Sequence, residues 1–266
     1  MTLSPLLAAY DNVILDLDGT VWVGDRATPR APEAIAALRG AGKAIGFITN
    51  DGTRSPEEYV RKLWSLGCTA AADEVISVGS AVEFHLRGRV PGRGAYIIGA
   101  PAVFAHVAAA GHRILNDTAA AEQADVVVLV GHAGCDYAAL TIAVRAVLDG
   151  AALISGGRDR VFPAPAGPCP GTGALTAAVE YATGASAHSV GKPDPEVFAA
   201  ALGRLPAGRT LVIGDHLISD LAGAAAAGLD AAIVLTGTAT REEAESVTGP
   251  APIAIGTDLA TLVLGR

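Results

Sequence analysis

The chain alternates short apolar runs with amphipathic segments along most of its length. Asn12 to Leu17, Ala44 to Thr49, Glu74 to Val78, Ala95 to Gly99, Asp125 to Gly131, Ala152 to Ser155, Thr210 to Gly214 and Ala231 to Leu235 are rich in β-branched and aliphatic residues. None alternates with polar residues, which is how strands covered on both faces of a parallel sheet read. The segments between them carry helical periodicity, so the pattern predicts β-α-β units joined by right-handed crossovers, an α/β fold. Ser55, Pro56 and Glu58 form a capping box that opens a helix, and Gly67 stops it. Ser80 and Glu83 repeat that signature before the next helix. A Gly- and Pro-rich stretch from Gly156 to Gly173 breaks the rhythm, and loops of that length in compact domains are often functional.

Length and charge narrow the picture. A chain of 266 residues holds one large α/β domain or a core with a smaller inserted domain. With 51% hydrophobic residues it is globular, and a formal charge of −8 disfavours nucleic acid as a partner, because recognition of that backbone runs on clustered Lys and Arg. Cys68, Cys135 and Cys169 lie far apart without a Cys-x-x-Cys pair, which argues against a disulfide framework and against a thiolate metal site. No basic region followed by a long apolar stretch opens the chain, and runs such as Val126 to Val130 are too short to span a bilayer. The expectation is a cytoplasmic protein without membrane contact.

The candidate chemistry sits where strands end. Asp16 and Asp18 flank Leu17 at the end of the first run, and residues i and i+2 of a strand share a face, so both carboxylates can converge on one point. Carboxylates this close repel unless a cation or a shared proton compensates them. Asp-Gly-Thr is also ordinary turn chemistry. Thr49-Asn50-Asp51-Gly52 offers a hydroxyl and backbone N–H groups before the capped helix, a turn able to cradle an anion or merely to reverse the chain.

Lys192 stands between Gly191 and Pro193 after a short strand, Ala187 to Val190, and is one of only three lysines against 16 arginines. A compact ammonium acts as a point charge on a phosphoryl oxygen, although a solvated loop lysine fits the same spacing. Asp215 ends the run from Thr210, and Asp220 follows five residues later, where it either caps a helix or supports the residues in front of it. Carboxylates without a histidine or cysteine cluster suit a hard octahedral cation such as Mg2+.

Asp-x-Asp-Gly-Thr, then Thr-Asn, then Gly-Lys-Pro, then Gly-Asp with Asp220, each at a strand end and in this order, resembles the haloacid dehalogenase superfamily. The match is nearest to its class IIA phosphatases, the NagD-like, p-nitrophenyl phosphatase and phosphoglycolate phosphatase group. Gly228-Leu229, Leu235-Thr236-Gly237 and Leu153-Ile154 with Asp159 extend it over nearly the whole chain. Thr49 and Lys192 are more than 140 residues apart, leaving room for a cap between the second and third motifs. The resemblance implies a Rossmann-like core at 1–87 and 188–266 and an α/β cap for substrate specificity at 88–187.

The resemblance further implies a phosphatase of small phosphate monoesters. Asp16 would be the nucleophile that forms an aspartyl-phosphate and Asp18 the general acid and base. Asp16, the Asp18 backbone carbonyl and Asp215 would hold Mg2+ with Asp220 behind them, while Thr49, Asn50 and Lys192 clamp the phosphoryl group. The partner would be a small phosphorylated metabolite such as phosphoglycolate, glycerol phosphate, a nucleoside monophosphate or pyridoxal phosphate, and the family often forms homodimers. A phosphotransferase or phosphomutase, and a non-catalytic phosphate sensor, are the alternatives. In the cap, Arg158 and Asp159 are candidates for substrate specificity within the loop from Ser155 to Pro163. Two positions depart from the family pattern: Asp51, where Asn is usual, and His216, where Arg or Asn is frequent.

Overall fold

The computed structural model describes residues 3–87, 93–162 and 167–265. By contacts the chain divides into two compact units, one comprising 1–49, 56–76 and 192–266 and the other 50–55 and 77–191. The expected cap boundary at Gly88 lies outside the described residues. The helix Val78–Leu86, expected with the core segment, groups with the second unit.

The first unit is built on a six-stranded sheet with the order 255–256, 230–234, 210–214, 12–16, 44–49, 75–77. Asn12–Asp16 is central, pairs in parallel with both Thr210–Gly214 and Ala44–Thr49, and is buried along its whole length. Its burial on both faces explains the absence of polar alternation. Val13, Leu15, Phe47, Leu211 and Ile213 pack with Ile35 and Leu38 of the helix Ala31–Gly40 and Val263 of the helix Leu259–Leu264. The helix Pro56–Ser65 starts at the predicted proline, and Gly67 follows it with φ of 82°. The strand Ile255–Gly256 and the hairpin of Trp22–Val23 with Arg26–Ala27 are additions to the expected set.

The second unit has its own sheet, with the order 188–189, 152–155, 126–130, 94–99, 113–114, in which every pairing is parallel. Ile98, Val127, Leu129 and Leu153 form its core with Ala143 and Val147 of the helix Tyr137–Leu148. The predicted capping box at Ser80 and Glu83 is displaced. The helix begins at Val78, and Ser77 caps it by accepting the Ser80 N–H at 3.3 Å. Ser80 therefore lies inside the helix, while Glu83 turns sideways to His106 at 2.7 Å and to Arg87. Within Gly156–Gly173 the chain forms an antiparallel pair, Val161–Phe162 with Cys169–Pro170, ahead of the helix Thr172–Thr183. Pro163 of the expected cap loop lies outside the described residues.

All three cysteines are free, and among the described residues no helix is long and apolar enough to cross a membrane.

Candidate active site

Parallel strands leave backbone and side chains pointing outward at their carboxyl ends, where ligands of such sheets bind. In the first unit Asp16 is the last residue of the central strand, and Asp215 directly follows Gly214 on the neighbouring strand. Asp220 comes from the π-helical turn Leu217–Ala222. These three buried carboxylates each offer an oxygen within 4.8 Å of the others. Lys192 is 5% exposed, and its ammonium donates to Asp16 and, at 2.7 Å, to Asp220.

One ammonium does not balance three carboxylates, and the electrostatics follow. Burial raises the Asp16 carboxyl well above the ordinary value; Lys192 opposes this, and Asp220 and Asp215 add to it. Burial also works against charge on Lys192, yet Asp16 and Asp220 outweigh it and hold the ammonium above its usual range.

Asp220 lies inside the π-helical turn, whose cap is His216, and its carboxylate is shared between two sets of donors. One oxygen takes Lys192, and the other accepts the backbone N–H groups of Asp215 and His216 at 3.1 and 3.0 Å. Asp215 uses Oδ2 on the Thr238 N–H and hydroxyl at 2.7 and 3.0 Å. Among the described residues, Asp16 Oδ2 and Asp215 Oδ1 then have no hydrogen-bond partner. Two unpartnered carboxylate oxygens from buried residues, with excess negative charge around them, are a donor set that fits a hard divalent cation.

Two glycines make room for this packing. Gly19 has φ of 91°, and a Cβ there would sit 2.5 Å from Asp215 Cγ. A Cβ on Gly214 would sit 2.2 Å from Asp220 Cγ. The Gly of Asp-Gly-Thr and the Gly of Gly-Asp are thus required by close approach of the carboxylates themselves.

The other predicted residues take distinct positions. Asp18 lies just beyond the strand, exposed, with its carboxylate accepting the Trp22 indole N–H at 2.7 Å. Thr49 ends its strand and is buried. Asn50 groups with the second unit, where a Cβ on Gly191 would meet its Oδ1 at 3.0 Å. Asp51 accepts the Thr53 N–H at 2.8 Å and pairs with Arg54 at 3.7 Å. Also in the second unit, both carboxylate oxygens of Glu180 hold Arg158 at 2.8 Å, and the Ala187 carbonyl accepts from it. The backbone carbonyl of Asp159 accepts the Gly173 N–H at 3.0 Å. His216 caps the π-helical turn, its Nδ1 accepting from Ile218 and Ser219 at 3.1 Å each.

Sequence reasoning missed Trp22 and Thr238. Trp22 sits four residues after Asp18 and reads as a core aromatic, which it also is at 0% exposure. Thr238 follows the Leu235-Thr236-Gly237 segment, whose Thr236 hydroxyl donates to the Gly19 carbonyl at 2.5 Å.

Comparison with known proteins places this geometry in context. A haloacid dehalogenase-like hydrolase model matches residues 13–113, and a second model described as HAD-hydrolase-like matches 189–262. A glycerol-3-phosphate phosphatase of Gallus gallus is 34% identical, over 91% of this chain and 85% of that protein. An acid sugar phosphatase of Staphylococcus aureus is 31% identical, over 91% and 92% respectively. The crystal structure of a glycerol phosphate phosphatase from Mycobacterium tuberculosis, in complex with calcium, superposes with a TM-score of 0.90 at 32% identity, covering 98% of this chain and 76% of that one. The same enzyme in complex with magnesium superposes at 0.87.

Proposed function

The chain belongs to the haloacid dehalogenase-like hydrolase family, and on that premise we propose that this phosphatase of small phosphate monoesters acts on an ester of glycerol phosphate size through a covalent intermediate on Asp16. The observation that carries the reading is the unpartnered Oδ2 of Asp16 beside Lys192, a nucleophilic oxygen whose neighbour is already fixed by a cation. Asp16 attacks phosphorus and the ester oxygen departs, taking a proton from Asp18; splitting the displacement in two lowers each barrier. Asp18 next accepts a proton from the water that attacks the aspartyl-phosphate, which releases inorganic phosphate and regenerates Asp16. Thr49, the Asn50 backbone N–H and Lys192 bind the phosphoryl oxygens and hold them for in-line attack.

A divalent cation fits the site, and we infer that it is Mg2+, which Asp16, Asp215 and the Asp18 backbone carbonyl would hold with Asp220 supporting them. When bound, Mg2+ supplies positive charge to the phosphoryl oxygens. The M. tuberculosis relative, solved with calcium and with magnesium, supports this choice. We assign substrate selection to a cap at 88–187, a segment that falls within the second unit, and infer a homodimer from the family likeness. The three free cysteines fit a reducing, cytoplasmic setting.

Phosphate release from glycerol phosphate, phosphoglycolate, a nucleoside monophosphate and pyridoxal phosphate, with Mg2+ and with EDTA, tests the reading. Metal-dependent turnover that favours glycerol phosphate is expected. Silence across the panel, or turnover indifferent to EDTA, overturns it.

A further inference from the structure

The second unit contains a cavity of about 390 Å³, none of whose lining residues belongs to the carboxylate and lysine cluster of the first unit. Its position follows from sheet order. Gly94–Gly99 is followed in sequence by Arg113–Ile114 on one side of it and by Val126–Val130 on the other. The chain leaving the two central strands therefore runs in opposite directions, which opens a crevice at their carboxyl ends, the place where ligands of open parallel sheets bind. Gly99 and Phe104 border this cavity from one connection, and Gly134 and Asp136 from the other.

The polar lining has one sign. Tyr96 is only 5% exposed and faces the cavity, and among the described residues its hydroxyl has no hydrogen-bond partner. The ring is buried while the hydroxyl opens onto the cavity, where water or a ligand can meet it. Burial raises the Tyr96 phenol, with the Asp136 and Asp117 carboxylates adding to the effect, so it stays a hydroxyl.

Asp117 also borders the cavity, with φ of 59° and no hydrogen-bond or ion-pair partner among the described residues. Its backbone is held there by Asn116, whose side chain exchanges hydrogen bonds with the Ile97 N–H and carbonyl at 3.0 and 2.8 Å where the edge strand stops. Asp136 spends Oδ1 on the Ala139 N–H at 2.7 Å. Among the described residues no Lys, Arg or His lines the cavity, while Phe104, Ile142 and alanines supply an apolar wall.

We propose that this cavity is a binding site for a small organic ammonium with an apolar body, its charge met by Asp117 and Asp136 and its polar hydrogens by the Tyr96 hydroxyl. Phosphate esters are disfavoured there by the two carboxylates and the absence of a cation, so the site is distinct in chemistry from the one in the first unit. The proposal stands independently of the catalytic reading.

Tyramine, neutral 4-ethylphenol and anionic 4-hydroxyphenylacetate share one aromatic body and differ in charge. Binding of each to the full chain, followed by saturation-transfer NMR and calorimetry without any phosphate ester, separates charge from size. Tyramine is expected to bind at millimolar concentration or below, with the neutral analogue weaker and the acid silent. Asp117→Asn is suited to the left-handed backbone and is expected to weaken tyramine about tenfold or more, since hydrogen bonds to charged groups are the stronger ones. Tyr96→Phe keeps the ring and is expected to weaken it less. Equal binding of all three compounds, no tyramine binding at millimolar concentration, or unchanged affinity in Asp117→Asn overturns the proposal; phosphatase activity has no bearing on any of these readouts.

Discussion

In the first unit the strands Asn12–Asp16, Ala44–Thr49 and Thr210–Gly214 bring Asp16, Thr49 and Asp215 to their carboxyl ends. In the second, Gly94–Gly99, Val126–Val130 and Ala152–Ser155 are followed by Ala100, Gly131 and Gly156. Both sheets present strand ends where ligands bind, yet only the first loads them with buried charge. Its four charged groups are mutually dependent: Lys192 compensates Asp16 and Asp220, and Asp220 orders the backbone that carries Asp215. The charged residues around the second unit's cavity are exposed, and among the described residues Asp117 leans on no other side chain. Architecture supplies the location in both cases, and the residues at the strand ends decide what chemistry it performs.

The sharpest way to break this contrast is Asp16→Asn. If Asp16 is the covalent nucleophile, turnover should fall by about four orders of magnitude or more, as it does when a nucleophile is removed from other enzymes. Phosphate release at saturating substrate reads it, and activity within a hundredfold of the parent would remove Asp16 from that role. Asp117→Asn in the second unit should change stability by less than about 0.5 kcal/mol, as exposed substitutions do.

Lys192→Met tests the mutual dependence through stability. Removing one partner of a buried ion cluster leaves charge uncompensated and costs about 3–5 kcal/mol. Denaturant unfolding without metal measures it, and a loss below about 1 kcal/mol would mean that the cluster is not coupled as described. The pH dependence has a definite sign. Because Asp16 and Asp220 outweigh burial and raise Lys192 in the folded chain, its stabilisation is complete below the unfolded-state value of about 10.4. It is lost as pH rises through the higher folded-state value. Unfolding temperature should therefore drop more steeply on the alkaline side in the parent than in Lys192→Met.

Metal addition probes the same excess of negative charge from the other direction. A cation that binds only the folded state stabilises it by about 2.7 kcal/mol at a hundredfold excess over its Kd. Mg2+ titrated against thermal unfolding should show this rise, and Asp16→Asn should remove most of it. An increment that is the same in both chains would place the cation elsewhere.

How much of this was legible in the sequence depends on how local the signal is. All eight apolar runs are strands within a residue or two, because burial on both faces writes itself into consecutive side chains. The two-residue strands at Arg113–Ile114 and Ile255–Gly256 leave no such trace, since their pairing is set by neighbours distant in sequence. Ser80 and Glu83 matched a capping box by spacing alone, yet Ser77 was already placed to cap, and His106 draws Glu83 away.

At the site, Asp16, Asp215, Asp220 and Lys192 can be singled out as candidates because their motifs end strands. The reason Gly19 and Gly214 accompany them, the close approach of carboxylates from other segments, needed coordinates. The cavity of the second unit was illegible for the same reason: Tyr96 comes from a strand, and Asp117 and Asp136 from two separate connections.

A more modest effect concerns the one hydrogen bond that the Asp18 carboxylate makes among the described residues, donated by Trp22 at 2.7 Å. Trp22 is fully buried and Lys62 lies 4.3 Å over its ring, so the indole is held from both sides and fixes the carboxylate in turn. If Asp18 is the general acid, its placement matters most when the leaving group is a poor one. An alkoxide from glycerol phosphate needs the proton, whereas p-nitrophenolate leaves without it. Trp22→Phe keeps an aromatic ring and deletes the donor, which is worth about tenfold for a hydrogen bond to a charged group. The expected outcome is a loss of about that size in kcat/KM for glycerol phosphate, with little change for p-nitrophenyl phosphate. Equal losses on both esters, accompanied by a lowered unfolding temperature, would instead make Trp22 a packing residue and leave Asp18 positioned by the turn alone.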